Sequence, residues 1–138
     1  DWSSYLSFVY PTFNPLNISR LEPLDKLIIG CAGYFNQPLI MFSVYAVITY
    51  ANIGILINKY SVSKFESLMI YLCLFYLTDL STIRQAVAVS FVFYGFKYIE
   101  QRKIFKYYLI CIVSMLFHKS AAIPLLFYPL YYRVYNFS

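Results

Sequence analysis

The segment from Thr82 to Gln85 combines a helix-capping pattern with a cation. Thr82 and Gln85 form the pattern T-x-x-Q, which predicts a helix N-terminus closed by a capping box. Arg84 then lies in the first turn, where the helix macrodipole disfavours a cation by about 0.3–1 kcal/mol. Arg84 therefore indicates an anionic partner. The partner is either the carboxylate of Asp79, in a structural salt bridge, or a phosphate, which a guanidinium and helix N–H groups bind well.

A second polar group, His118-Lys119-Ser120, follows an apolar run at 107–117. His118 is the only histidine and is predicted at the end of one helix, while Ser120 is predicted to cap the next. A lone histidine at a helix end is more often structural than functional. No second histidine or carboxylate pair lies nearby in the sequence to complete a metal site or a nucleophile triad. We therefore expect no metal and no cofactor.

The composition places these groups in a membrane protein. Hydrophobic residues make up 61% of the 138 positions and charged residues only 12%, whereas a soluble domain is about 45–50% apolar and about 25% charged. A soluble domain of this size could not bury so much apolar surface. The net charge of +5 is spread over short loops between apolar runs, so the sequence does not predict a nucleic-acid-binding patch.

The apolar runs predict an all-α, polytopic transmembrane helix bundle with about five spans. Only the uncharged run 39–57 is long enough by itself to cross roughly 30 Å of hydrocarbon. The shorter runs are interpreted as spans whose ends carry Lys, Arg and Tyr at the interface. The approximate spans are 39–57, 65–80, 82–100, 104–118 and 120–135, and together they form a transmembrane region over 39–138. We expect this region to be part of one larger membrane domain in a longer protein.

Loop charge orients these helices, because cytoplasmic ends carry an excess of Lys and Arg. The cationic residues assigned to the cytoplasmic ends are Lys59, Lys64, Lys97, Arg102, Lys103, Lys106 and Arg133. The outer ends have only Arg20, Lys26, Arg84 and Lys119. The same orientation makes residues 1–38 extracytoplasmic or interfacial and places four of the six acids, Asp1, Glu22, Asp25 and Asp79, on the outer side.

Within residues 1–38, prolines interrupt any long helix. Apolar residues recur at helical spacing between Pro23 and Phe35, which predicts a short amphipathic helix on the outer membrane interface. The residues of that apolar face are Leu24, Leu27, Ile28, Cys31 and Phe35. The topology thus brings Arg84, His118 and the acids of the N-terminal segment to one membrane face.

Several short motifs in the chain resemble those of the EpsG family of exopolysaccharide polymerases, which are Wzy-like membrane proteins. The more specific pair is I-R-Q-A-V-A at 83–88 and F-H-K-S-A at 117–121, with K-Y-I at 97–99 and Q-R-K at 101–103 between them. The segment D-W-S-S-Y at 1–5 is similar to the family's G-x-D-x-x-Y element without its glycine. The segment L-E-P-L at 21–24 is similar to the start of the family's next element. The resemblance covers nearly the whole chain.

The resemblance implies an enzyme that joins oligosaccharide repeat units carried on undecaprenyl pyrophosphate, at the outer face of the bacterial cytoplasmic membrane. Its products would be exopolysaccharide, capsule or O-antigen. It implies Arg84 and His118 as catalytic residues. It also implies a set of substrate-binding residues, namely Asp1, Tyr5, Glu22, Gln85, Lys119 and Ser120. The expected partners are the lipid-linked glycan, the bilayer and other polysaccharide-assembly membrane proteins.

Roles within that reaction stay open at this point. Arg84, helped by Lys119 or Arg20, could stabilise the departing pyrophosphate, while His118, Asp1 or Glu22 could accept the proton of the attacking hydroxyl. Two other classes of function also remain. A flippase of lipid-linked sugars would be expected to place ionisable residues deep in the bundle. A non-catalytic assembly protein would use an Arg84–Asp79 pair only for structure.

Overall fold

The computed structural model describes residues 21–135, excepting the side chains at 78 and 132–135, and its regular elements there are all helical. One 3-10 segment, Lys119–Leu126, lies between the last two α-helices. The α-helices are α1 (Pro23–Tyr34), α2 (Pro38–Tyr60), α3 (Lys64–Ser81), α4 (Ile83–Glu100), α5 (Ile104–Met115) and α6 (Phe127–Tyr135). The predicted all-helical class is therefore confirmed for this part of the chain.

Helix α2 matches the run predicted at 39–57. It begins at Pro38, whose fixed φ suits the first helical position, and continues for 23 residues, or about 35 Å at about 1.5 Å per residue. Within residues 21–135 it is the one helix long and apolar enough to cross a membrane, while α5 is apolar but has only 12 residues. The other four spans and the membrane side of residues 1–38 stay predictions.

The range predicted as one helix, 120–135, is divided into two kinds of helix. The chain is a 3-10 helix from Lys119 to Leu126 and becomes α-helical only from Phe127. Pro124 lies inside the 3-10 segment, and a proline there cannot donate the hydrogen bond that an α-helix requires. The preceding helix also ends earlier than predicted, at Met115 and not at residue 118.

Helix α4 is the centre of the bundle, packed between α2 and α5. Its packing faces carry small residues, which let neighbouring backbones approach closely. Ser114 on α5 donates a 2.6 Å hydrogen bond to the carbonyl of Ala88, and Asn52 on α2 donates to Ser90 at 3.1 Å. These contacts, one buried and one partly buried, join α5 and α2 to α4.

Helix α1 confirms the short helix predicted from Pro23 onward, but the face that packs only partly overlaps the predicted apolar face. Asp25, Ile29 and Ala32 are buried against the bundle, whereas Leu27 and Phe35 are 65% and 61% exposed. Of the predicted apolar face, Leu24 and Ile28 pack against the core, while Leu27, Cys31 and Phe35 stay exposed. It uses a face with a carboxylate to contact the other helices.

The C-terminal ends of α2 and α4 lie together at one end of the bundle. Tyr60 at the end of α2 and Lys97 near the end of α4 line one pocket. The ammonium of Lys97 lies 3.2 Å from the ring centroid of Tyr94, in a cation–π contact. Arg84 lies at the other end of α4, next to the start of α1.

Candidate functional site

The N-termini of α1 and α4 meet through Arg84. Its Nη1 atom lies 3.3 Å from Oε2 of Glu22 and 3.4 Å from Oδ2 of Asp25. Glu22 is the N-cap residue of α1 and Asp25 lies in its first turn, where carboxylates are favoured by the macrodipole. These two acids offset the cost of a cation at the start of α4. They also join segments that are about sixty residues apart in the chain.

Asp25 is the most enclosed of these charged groups. Its side chain is fully buried, and its Oδ1 accepts a 2.7 Å hydrogen bond from the hydroxyl of Tyr45 on α2. Burial raises the pKa of Asp25 from 3.8 to about 6, against the lowering effects of the Tyr45 hydrogen bond and the Arg84 charge. Asp25 thus links α1, α2 and α4 and titrates just below neutral pH.

The backbone of α1 also reaches the end of α5. The N–H of Leu24, which lies between the two acids in sequence, donates to the carbonyl of Leu116 at 3.3 Å. The next residue, Phe117, is buried, and its ring is stacked on Phe91 and lies edge-on to Tyr45. These contacts bring the segment that carries His118 to the same end of the bundle as Arg84.

His118 is held in a defined orientation as the N-cap of the 3-10 segment. Its Nδ1 accepts from the backbone N–H of Ser120 at 3.2 Å and lies 2.8 Å from the Ser120 hydroxyl. Because Nδ1 acts as an acceptor, the ring proton of the neutral imidazole is on Nε2. The prediction that Ser120 caps this segment is wrong, since the cap is His118 and Ser120 donates to it.

Three helical N-termini therefore converge at this end of the bundle, those of α1, α4 and the 3-10 segment. Helix N-termini concentrate unpaired N–H groups and positive potential, which favour anions. Arg84 is about a quarter exposed and Lys119 is exposed, so both are accessible to a solute or lipid headgroup. The arrangement can bind a phosphate or pyrophosphate and donate a hydrogen bond from the imidazole Nε2.

The other predicted site residues fall in different places. Gln85 is exposed, and although Thr82 is the N-cap of α4, it makes no side-chain capping bond, so the predicted capping box is not formed. Asp1, Tyr5 and Arg20 lie outside the described residues. Asp79, one proposed partner for Arg84, accepts a 2.5 Å hydrogen bond from Tyr71.

Sequence reasoning placed Asp25 on the outer side but did not select it as a site residue, and it missed Tyr45 altogether. Asp25 interrupts the apolar pattern of α1, and its position in the first turn was the signal that could have selected it. Tyr45 carried no such signal. It is one of 16 tyrosines in the chain, and only the packing of α1 on α2 distinguishes it.

Comparison with known proteins identifies the family. A family model described as the EpsG family matches residues 1–137. The chain belongs to the EpsG family. Membership makes it an exopolysaccharide-related membrane protein, in agreement with the apolar helix α2. No curated protein and no solved structure matches this EpsG-family chain.

Proposed function

We propose that this protein polymerises oligosaccharide repeat units carried on undecaprenyl pyrophosphate, at the outer face of the bacterial cytoplasmic membrane. The observation that carries the proposal is the meeting of the N-termini of α1 and α4 at Arg84, with the segment capped by His118 at the same end of the bundle. Family membership supports the pathway. The accessible guanidinium supports an anionic substrate, because lipid pyrophosphate carries its negative charge at the level of the membrane surface.

Arg84 is the residue that we assign to the pyrophosphate. When the glycosidic carbon leaves the lipid carrier, negative charge develops on the pyrophosphate, and a preorganised cation lowers the barrier. The contacts of Nη1 with Glu22 and Asp25, at 3.3 and 3.4 Å, are longer than the roughly 2.7–2.9 Å of strong charge-assisted bonds. The acids thus orient the guanidinium through loose contacts. Lys119, exposed on the 3-10 segment, adds a second cation.

His118 is assigned as a hydrogen-bond donor to the same anion. Its Nδ1 is occupied by the backbone N–H of Ser120, so the neutral ring presents Nε2–H and not a basic lone pair. This geometry disfavours His118 as the base for the attacking hydroxyl. Glu22, buried and facing Arg84, is better suited to orienting the guanidinium than to accepting a proton. Gln85 and Ser120 remain proposed contacts to the glycan or its phosphates.

The experiment uses the full-length protein in liposomes, supplied with lipid-linked repeat units extracted from a strain that cannot polymerise them. Gel separation of the glycans reports chain growth, and protection from an added glycosidase reports movement across the bilayer. Chain growth supports the proposal. Translocation without growth would identify a flippase, and neither activity would identify an assembly protein; both outcomes would overturn the proposal.

A further inference from the structure

A cavity of about 140 Å³ lies between α2, the end of α3 and the start of α4. Its walls are mainly apolar and aromatic, with one carboxylate, that of Asp79. The residues that line it are Phe42, Tyr45, Ala46, Thr49, Tyr50, Asp79, Leu80, Ile83 and Ala86.

Asp79 is held in place at this cavity by an aromatic pair. The hydroxyl of Tyr71 donates to Oδ2 of Asp79 at 2.5 Å, and the ring of Tyr71 lies edge-on to that of Tyr50, with centroids 6.4 Å apart. In contrast to Glu22 and Asp25, which face the Arg84 cation, Asp79 has a neutral phenol as its partner. Its carboxylate therefore keeps more of its capacity to accept a further hydrogen bond.

The cavity adjoins the Arg84 cluster through two residues. Ile83 lines the cavity and directly precedes Arg84 in α4. Tyr45 also lines the cavity, and its hydroxyl donates to Asp25, the buried partner of Arg84. A molecule in the cavity would thus lie beside an anion bound at Arg84.

We propose that this cavity binds a sugar ring of the acceptor glycan and that Asp79 accepts the proton of its attacking hydroxyl. Aromatic walls pack against the apolar faces of a sugar, and a single carboxylate fits one hydroxyl donor while repelling phosphate. The inference rests on the proposed polymerase function. In the step, the acceptor oxygen bonds to the anomeric carbon of the donor sugar and the bond from that carbon to the pyrophosphate oxygen breaks. The pyrophosphate keeps the electron pair, and the hydroxyl proton passes to Asp79.

A matched pair of alanines on α2 tests the cavity. Ala46 lines it, whereas Ala51 is exposed on the same helix and is not among its lining residues. We expect Ala46→Leu to raise the KM for acceptor about tenfold or more, because the added side chain fills the space for the sugar. Ala51→Leu should leave it unchanged. The probes are a fixed concentration of lipid-linked repeat units as donor and a titrated, lipid-free repeat oligosaccharide as acceptor. Equal KM values for both variants and the wild type would overturn the cavity assignment.

Asp79→Asn tests the proton acceptor while preserving shape and an oxygen for Tyr71. We expect kcat to fall about 10²- to 10⁴-fold, the usual contribution of a general base. Binding to vesicles containing polyprenyl pyrophosphate should stay within twofold of the wild type. Tyr71→Phe is the control, because it removes the hydrogen bond to Asp79 but keeps the carboxylate. If the Tyr71–Asp79 pair has only a structural role, both variants should lose folded protein to the same extent. In that case Asp79→Asn should show no specific loss of kcat.

These measurements distinguish a failure of the role proposed for Asp79 from a failure of the proposed polymerase function. If the wild type and the Asp79→Asn variant are equally active, the role of Asp79 is overturned and the proposed polymerase function is not contradicted. A wild type that forms no polymer overturns both. If Ala46→Leu is not recovered as folded protein, the kcat of Asp79→Asn decides the question by itself.

Discussion

The hydroxyl of Tyr45 donates a 2.7 Å hydrogen bond to Oδ1 of Asp25, and the other oxygen of Asp25 lies 3.4 Å from Nη1 of Arg84. One buried carboxylate thus joins α1, α2 and α4. Burying a carboxylate is costly unless it is hydrogen-bonded and paired, and here both a phenol and a guanidinium contact it. The same contacts place Arg84 between the acids of α1 and the exterior, where an anionic substrate would approach.

Replacement of Arg84 by lysine should abolish most polymer formation. Lysine keeps the charge but lacks the planar fork that can contact Glu22, Asp25 and a phosphate together. We expect polymerisation to fall at least about a hundredfold, with single repeat units accumulating on the lipid, as measured by gel analysis of lipid-linked glycans from cells. Arg102→Lys, in the turn after α4 at the other end of the bundle, is the matched control and should make normal polymer. Normal polymer length in the Arg84→Lys strain would contradict the assignment of Arg84 to the pyrophosphate.

The stability of the protein should depend on pH through Asp25. Its pKa is raised by burial from 3.8 to about 6 in the folded protein, so the folded state binds the proton more tightly than the unfolded state does. The contribution of this group is fully present below pH 4 and is lost as pH rises through 6, by up to roughly 3 kcal/mol. Thermal unfolding in detergent between pH 4 and 8 measures it. Asp25→Asn should lack this pH-dependent contribution, so the free energy of unfolding of the wild type relative to the variant should fall with increasing pH. A difference in unfolding free energy that does not change with pH would contradict the prediction.

His118 allows its capping role and its donor role to be separated. Asn in its place can accept from the N–H of Ser120, as asparagine commonly does at N-caps, but it has no group at the position of Nε2. His118→Asn should therefore keep near-normal stability and lose polymerisation. His118→Ala should lose polymerisation and in addition about 1 kcal/mol of stability. Melting temperatures and polymer assays on both variants test this, and full activity in His118→Asn would show that the histidine serves only as a cap.

The 3-10 segment should depend on a hydrogen bond from α5. The hydroxyl of the buried Tyr107 donates to the carbonyl of Pro124 at 2.5 Å, and that carbonyl also accepts from the N–H of Phe127. Tyr107→Phe should cost about 1 kcal/mol and no more, because the carbonyl keeps a partner. Tyr34→Phe, at a position 86% exposed, should change the free energy of unfolding by less than about 0.5 kcal/mol. Equal unfolding free energies for the two variants would contradict this role for Tyr107.

Local features of the sequence predict where most of the helices lie. The uncharged run of α2 predicts a helix to within a few residues of its ends, because apolar length and a proline at the first position are local properties. The break at Pro124 was missed because apolar residues on both sides continue the helical pattern. The proline nevertheless lacks the N–H that an α-helix needs there.

Composition and local patterns are enough to predict that this chain is helical and that α2 is long and apolar enough to cross a membrane. They also predict that Arg84 lies in the first turn of a helix and needs an anionic partner, but they do not identify that partner. Several acids were available, and the packing of α1 against α2 and α4 selected Glu22 and Asp25. The choice of His118 over Ser120 as the cap also followed from the folded geometry. Composition and periodicity are local properties of the sequence, whereas contacts between residues about sixty positions apart depend on how the helices pack.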